Sequence, residues 1–131
     1  MKKVRRTILL LTCLVLLASL PIAAFAASKT FFTTNVSGHR CVGSGQINGG
    51  VATSALKATE IAGEPIQPGE TYQAYVWLSA FDSSGDRIGS TTSKGHLTTS
   101  ARYSYSDGNI AKTETVFTFS DTYIGTYTLY A

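Results

Sequence analysis

The segment Tyr72–Phe81 restricts the fold more than any other, because its side chains divide into two sets at every second position. Successive side chains of a β-strand point to opposite faces of the sheet. One face would carry Tyr72, Ala74, Val76, Leu78 and Ala80. The opposite face would carry Gln73, Tyr75, Trp77, Ser79 and Phe81. A period of two over ten residues predicts a strand rather than a helix.

Three later segments extend this pattern. Leu97–Tyr105 and Ala111–Phe119 alternate between apolar and polar side chains, whereas Tyr123–Tyr130 alternates less cleanly. Half-buried strands of antiparallel sheets have this alternation. Several threonines of these segments are interpreted as solvent-facing strand residues, namely Thr98, Thr113, Thr115, Thr126 and Thr128. The second half of the chain is therefore predicted to be a series of strands.

The first half is less regular. Lys29–Val36 is a candidate strand, and Gly43–Gly50 is interpreted as a flexible turn or a broken strand. The alanines and Leu56 of Val51–Ile61 would permit a short helix, but its Thr and Ser residues lower helix propensity, so a strand is preferred. Glu64–Glu70 holds two prolines and a glycine and predicts an extended loop with a turn.

Turn sequences separate the predicted strands at intervals of about ten residues, as in small antiparallel folds. They lie at Asp82–Asp86, at Ser93-Lys94-Gly95 and at Ser106–Asn109, where Asp-Gly is a strong hairpin signal. The Phe81–Gly89 segment resembles hairpins of many extracellular immunoglobulin-like domains, a fold analogy that carries no function. The predicted fold is an all-β, small antiparallel β-sandwich, immunoglobulin-like or related, with a small β-barrel as the alternative.

Residues 1–26 have the three parts of a secretory signal peptide. A basic head precedes an apolar run over residues 8–20, and Ala24 and Ala26 place small side chains before a cut at Ala27. The basic head consists of Lys2, Lys3, Arg5 and Arg6. We therefore expect residues 27–131 to form a single secreted, extracellular β domain. The compact basic head is typical of bacterial signals.

Removal of the signal changes the charge of the protein. The whole chain has a net charge of +3, but residues 27–131 retain seven Lys and Arg against eight Asp and Glu, a net charge of −1. Without a basic cluster, binding to nucleic acid or to anionic lipid loses its main electrostatic support. No second apolar run follows, so no stable membrane anchor is expected after cleavage.

Cys41 is the one cysteine expected to remain after cleavage, because Cys13 lies within the signal. It therefore has no partner for an intramolecular disulfide. Burial as a small apolar side chain is the preferred interpretation, with a free or intermolecular thiol as the alternative. His39, Cys41 and His96 form a geometrically possible but unspecific zinc set, and Cys41 with His96 lacks any catalytic motif. We expect neither a metal nor a cofactor.

Two further groups have a possible binding role. Asp82, Ser84 and Asp86 have the alternate spacing of calcium ligands, but a turn between two strands explains them more simply. Tyr75, Trp77 and Phe81 are the candidate ligand-binding residues, because an aromatic row on a sheet can stack on sugar rings or contact a protein. Burial of this row beneath other elements is the competing and preferred interpretation, since central strands are often covered on both faces.

No catalytic constellation is evident, so the chain is not expected to be an enzyme. The predicted function is a secreted, non-catalytic β-sandwich that binds an extracellular protein or glycan. The alternative is a secreted antimicrobial protein, bacteriocin-like or toxin-like, although the near-neutral charge argues against direct attack on anionic membranes.

Overall fold

The structure is a computed structural model that describes residues 26–65 and 67–131. The predicted signal peptide thus lies outside the described residues, except for Ala26. The described part contains eight strands: β1 (Ala27–Val36), β2 (His39–Asn48), β3 (Val51–Glu60), β4 (Gln73–Phe81), β5 (Arg87–His96), β6 (Thr98–Ser104), β7 (Lys112–Phe119) and β8 (Thr122–Tyr130). None of this part forms a helix with the length and apolarity to cross a membrane.

The strands form two antiparallel sheets of four, ordered β1-β2-β3-β6 and β5-β4-β7-β8. Both sheets keep open edges, so the small β-barrel alternative is wrong and the predicted β-sandwich is confirmed. β3 pairs with β6 and β4 with β7, as strands B with E and C with F are neighbours in immunoglobulin-like domains. β1 is an additional edge strand beside β2.

The core lies between the sheets, and β4 supplies its centre. Ala74, Val76, Leu78 and Ala80 are fully buried, as the period-two pattern predicts. The neighbouring strand β7 adds its fully buried phenylalanines to the same core. Burial of one such side chain contributes roughly 1.5–3 kcal/mol. The prediction of a strand at Val51–Ile61 is also confirmed, since β3 spans Val51–Glu60.

The glycines of β2 have a structural role that the sequence interpretation missed. Gly43 and Gly45 lie within a regular strand, so the prediction of a flexible turn or broken strand at Gly43–Gly50 is wrong for its first six residues. β1 has a bulge between Thr30 and Phe32, and the rings of Phe31 and Phe32 lie over these glycines. A Cβ atom at Gly45 would lie 2.6 Å from Phe31 Cζ. The absent side chains make room for two aromatic rings.

Two predicted turns differ from the structure. β5 continues through Ser93-Lys94-Gly95, and the chain turns later, at Leu97, where φ is 63°. There Leu97 N–H donates to Tyr72 O over 3.0 Å, and Leu97 O accepts from Ala58 N–H over 2.7 Å. The chain therefore crosses from one sheet to the other at Leu97.

The Asp-Gly sequence at Ser106–Asn109 does form a turn, but it does not form the predicted hairpin. β6 before it and β7 after it belong to different sheets. Asp-Gly favours a local reversal of the chain. The partner of each strand depends instead on distant residues, so the turn joins the two sheets.

Two threonines of β7 also differ from the prediction. Thr113 and Thr115 are buried, not solvent-facing, because they share the inward face of β7 with Phe117 and Phe119. The hydroxyl of Thr115 lies 2.7 Å from that of Ser54 in β3. This buried hydrogen bond joins the two sheets at the centre of the sandwich.

We expect Thr115→Val to lower the free energy of unfolding by about 1–3 kcal/mol, because the Ser54 hydroxyl would stay buried without a partner. Adding Ser54→Ala should recover part of this loss, since no lone hydroxyl would remain. Denaturant titration of the two single variants and the double variant measures the coupling. The exposed Thr128→Val is the matched control and should change stability by less than about 0.5 kcal/mol. Strictly additive losses would contradict the prediction.

Candidate binding face

The outer side of the sheet β5-β4-β7-β8 carries the predicted aromatic row. We call this side the aromatic face. Trp77 is 40% exposed, and Tyr75 and Phe81 are half-buried by their neighbours within the sheet. The preference for burial of this row beneath other elements is therefore wrong for Trp77. In immunoglobulin domains a Trp on strand C is buried, whereas Trp77 on the corresponding strand β4 points outward.

Cross-strand neighbours flank each aromatic side chain on this face. Tyr75 pairs with Lys94 and Thr118, and Trp77 pairs with Thr92 and Val116. Side chains directly opposite each other on one face of an antiparallel sheet lie about 4.5–5.5 Å apart at Cβ. The aromatic rings are therefore held in fixed rows rather than on mobile loops.

Two tyrosines that the sequence interpretation did not select lie on the same face. Tyr123 is 63% exposed and pairs with Thr118, and Tyr130 is 70% exposed and pairs with Lys112. With Trp77 they are the exposed large apolar side chains of the part of the chain that the structure describes. All three point to one side of one sheet.

A bulge explains why the sequence pattern missed Tyr123. The register of β7 with β8 shifts between Phe117 and Thr118, so that Ile124 is an extra residue. The shift reverses the alternation of β8, and Tyr123 points outward whereas Tyr127 points inward. This reversal is the reason that Tyr123–Tyr130 alternates less cleanly in the sequence.

Three cations lie over the aromatic rings of β4. Arg87 Cζ is 5.7 Å from the centroid of the Trp77 ring, and Lys94 Nζ is 5.7 Å from that of Tyr75. Lys112 Nζ is 4.4 Å from the centroid of the Phe81 ring. At exposed sites such cation–π contacts contribute about 0.5–1 kcal/mol each. They orient the cations along the row.

Between these groups the face has a shallow open depression of about 220 Å³. Its lining combines aromatic, charged and hydroxyl side chains: Trp77, Ser79, Phe81, Arg87, Glu114 and Thr126, together with Val116. Glu114 forms an ion pair with Lys112, with Nζ 3.4 Å from Oε1. The depression thus combines apolar side chains with hydrogen-bonding ones.

The outer side of the other sheet is different in character. Outward-pointing side chains of β2 and β6 are mainly polar, among them Ser44, Gln46, Asn48, Thr98, Ser100 and Arg102. Within the described ranges, no large apolar side chain is exposed on that side. The two outer faces therefore differ in the large apolar side chains that they expose.

Cys41 is fully buried on β2, which agrees with the preferred interpretation. Its Sγ lies 3.9 Å from His39 O, whereas His96 is exposed at the end of β5. His39 is also buried, against Tyr72 and Phe119. Among residues 26–65 and 67–131 no three His, Cys, Asp or Glu side chains are grouped to hold a metal. The structure therefore does not bring together the zinc set His39, Cys41 and His96.

The Asp82–Asp86 segment is the turn between β4 and β5. Asp82 Oδ1 accepts hydrogen bonds from the backbone N–H groups of Ser84 at 2.9 Å and Asp86 at 3.0 Å. The Asp82 carboxylate thus stabilises the turn itself. This bonding supports the turn interpretation over the calcium-loop alternative.

Comparisons with known proteins add no relative. No family model matches the chain, and no curated protein or solved structure matches it.

We expect the Cys41 thiol of folded residues 27–131 to resist alkylating reagents and to react fully only after unfolding, because Cys41 is fully buried. Burial raises the pKa of Cys41 from 9.0 to about 11, against an opposing backbone hydrogen bond at Val36. Above pH 9 the unfolded chain loses this proton first, so stability falls between pH 9.0 and about 11. Cys41→Ala should remove that part of the pH dependence. Rapid labelling of the folded protein by iodoacetamide would contradict the prediction.

Trp77 is the single tryptophan of the chain, so its fluorescence reports on the aromatic face alone. We expect acrylamide to quench its emission in the folded protein, because the side chain is 40% exposed. The urea-unfolded protein supplies the fully accessible reference. A blue-shifted emission that acrylamide does not quench would show that Trp77 is covered.

Proposed function

We propose that the domain is a secreted, non-catalytic binding module that holds an extracellular glycan on the aromatic face. The observation that carries this proposal is the segregation of Trp77, Tyr123 and Tyr130 onto one side of one sheet. Hydroxyl side chains such as Thr126 and Thr128 lie between these rings, and exposed aromatic side chains that share one face with them support an interaction site there. The outer face of the other sheet, which exposes no large apolar side chain among the described residues, shows that such exposure is not a general property of this surface.

The shape and chemistry of the face favour a glycan over a protein. A sugar ring has an apolar C–H face and a polar rim of hydroxyls, and an exposed aromatic ring stacks on the apolar face. Trp77 offers such a ring, while Ser79, Glu114 and Thr126 lie beside it for hydrogen bonding. A protein interface instead centres on a desolvated pocket that receives an anchor side chain. The depression here is shallow and open.

The face is also preorganised. Trp77 and Tyr75 belong to a central strand with partners on both sides. At the edge strand, the Tyr123 hydroxyl lies 2.8 Å from Thr126 Oγ1, which orients the tyrosine ring. Sites built on strands hold their geometry more closely than sites on loops. Little conformational entropy would be lost when a ligand binds.

We expect the protein to bind at least one polysaccharide in a panel of neutral and acidic polymers. Trp77→Ala should weaken that binding about tenfold or more, equivalent to ~1.4 kcal/mol, since the central stacking ring is lost. Affinity electrophoresis measures the retardation of both proteins without needing the tryptophan signal. Arg102→Ala, on the opposite sheet, is the matched control and should bind like the wild type.

Circular dichroism of each variant would verify that the fold is retained. Equal binding by wild type and Trp77→Ala, or failure to bind any polymer in the panel, would refute the proposed function. Binding that requires a protein component of the sample would instead identify a protein ligand.

A further inference from the structure

We infer that the aromatic face recognises an acidic glycan, whose carboxylates are bound by Arg87 and Lys94; this inference rests on the proposed function. The ligand class would be a polysaccharide containing uronic acids. Positive charge lies over the aromatic rings of this face, and two of the three cations have no carboxylate partner among the described residues.

The aromatic face has more basic than acidic side chains although residues 27–131 have a net charge of −1. The outer side of the other sheet also carries three cations, Arg40, Lys57 and Arg102, but in the described part of the chain it has no exposed large aromatic side chain beside them. Three cations lie over the β4 rings, and Glu114 is the acidic side chain within the depression. Acidic and basic side chains therefore do not mix evenly over the surface. The local charge would attract an anionic ligand to a protein that is acidic as a whole.

Two of the three cations have no carboxylate partner. In the part of the chain that the structure describes, Lys112 forms an ion pair with Glu114, whereas Arg87 and Lys94 form none. The nearby Asp82 carboxylate already accepts two backbone hydrogen bonds, and Asp86 forms no ion pair with Arg87 in the described part. Arg87 and Lys94 thus keep their donors available for a bound anion.

The cations and rings are placed so that one ligand would meet both. Arg87 lies over Trp77 and Lys94 over Tyr75, and these two aromatic residues are about 7 Å apart along β4. A sugar that contacts the part of the Trp77 ring not covered by Arg87 would place a ring carboxylate beside the Arg87 guanidinium. Arginine binds carboxylates through two parallel hydrogen bonds, and partial desolvation by the aromatic rings strengthens this attraction. Successive acidic sugars would meet Arg87 and Lys94 in turn.

A polymer whose charge can be removed without changing its backbone tests this inference. We expect the secreted protein to bind polygalacturonate and to bind its fully methyl-esterified, uncharged form at least tenfold more weakly. Affinity electrophoresis supplies the readout, because it also applies to Trp77→Ala, which has no tryptophan. The variant Arg87→Gln/Lys94→Gln should lose at least tenfold in affinity for polygalacturonate and little for the ester. The matched control Lys57→Gln/Arg102→Gln removes two charges from the opposite sheet and should leave both affinities unchanged.

The remaining outcomes would each overturn the inference. Equal binding of acid and ester, with loss of both in Trp77→Ala, would retain glycan binding but remove the acidic class. Equally tight binding of poly-L-glutamate would replace the glycan by an acidic peptide. No binding to polygalacturonate, alginate or hyaluronate would reject the acidic class. Binding of a neutral polymer in the same panel would then preserve the proposed function, whereas no binding at all would reject both.

Discussion

The division of β4 into two unlike faces is the constraint on which the rest of the structure depends. Ala74, Val76, Leu78 and Ala80 are fully buried between the sheets, whereas Trp77 between them is directed outward. Because side chains alternate along a strand, a slip of one residue would exchange the two sets. It would bury the aromatic row and expose the centre of the core. The hydrophobic effect therefore sets the register of β4 and, through it, the direction of the aromatic face.

The edge of the sandwich at which β1 and β8 lie depends on a different kind of packing. The bulge in β1 directs both Phe31 and Phe32 inward, where they pack against Phe117 and Tyr127 of the other sheet. This arrangement is possible only because Gly43 and Gly45 leave room beneath the rings. In a strand with regular alternation only one of these two phenylalanines would point inward. The bulge and the two glycines thus let both rings fill the core beside β8.

The candidate site results from the same alternation of side chains, on the side of the sheet that faces away from the core. Trp77 and Tyr75 are on the outer face because their neighbours in sequence are buried. Arg87 and Lys94 reach them because β5 pairs with β4 as a hairpin partner. The core thus provides a rigid support, and the outer face combines apolar rings with unpaired charge. The proposed ligand would therefore bind to side chains of strands rather than to a mobile loop.

The sequence by itself determined the all-β class, most of the strands and the residues of Tyr72–Phe81 that would share a face. Alternation and turn residues are local properties, so they can be recognised without knowing the fold. Tertiary structure decided which strands pair, since the Asp-Gly turn joins two sheets rather than a hairpin. It also decided that Thr115 is buried with Ser54 and that the bulge at Ile124 turns Tyr123 outward. These outcomes depend on contacts between residues far apart in sequence, which no local pattern specifies.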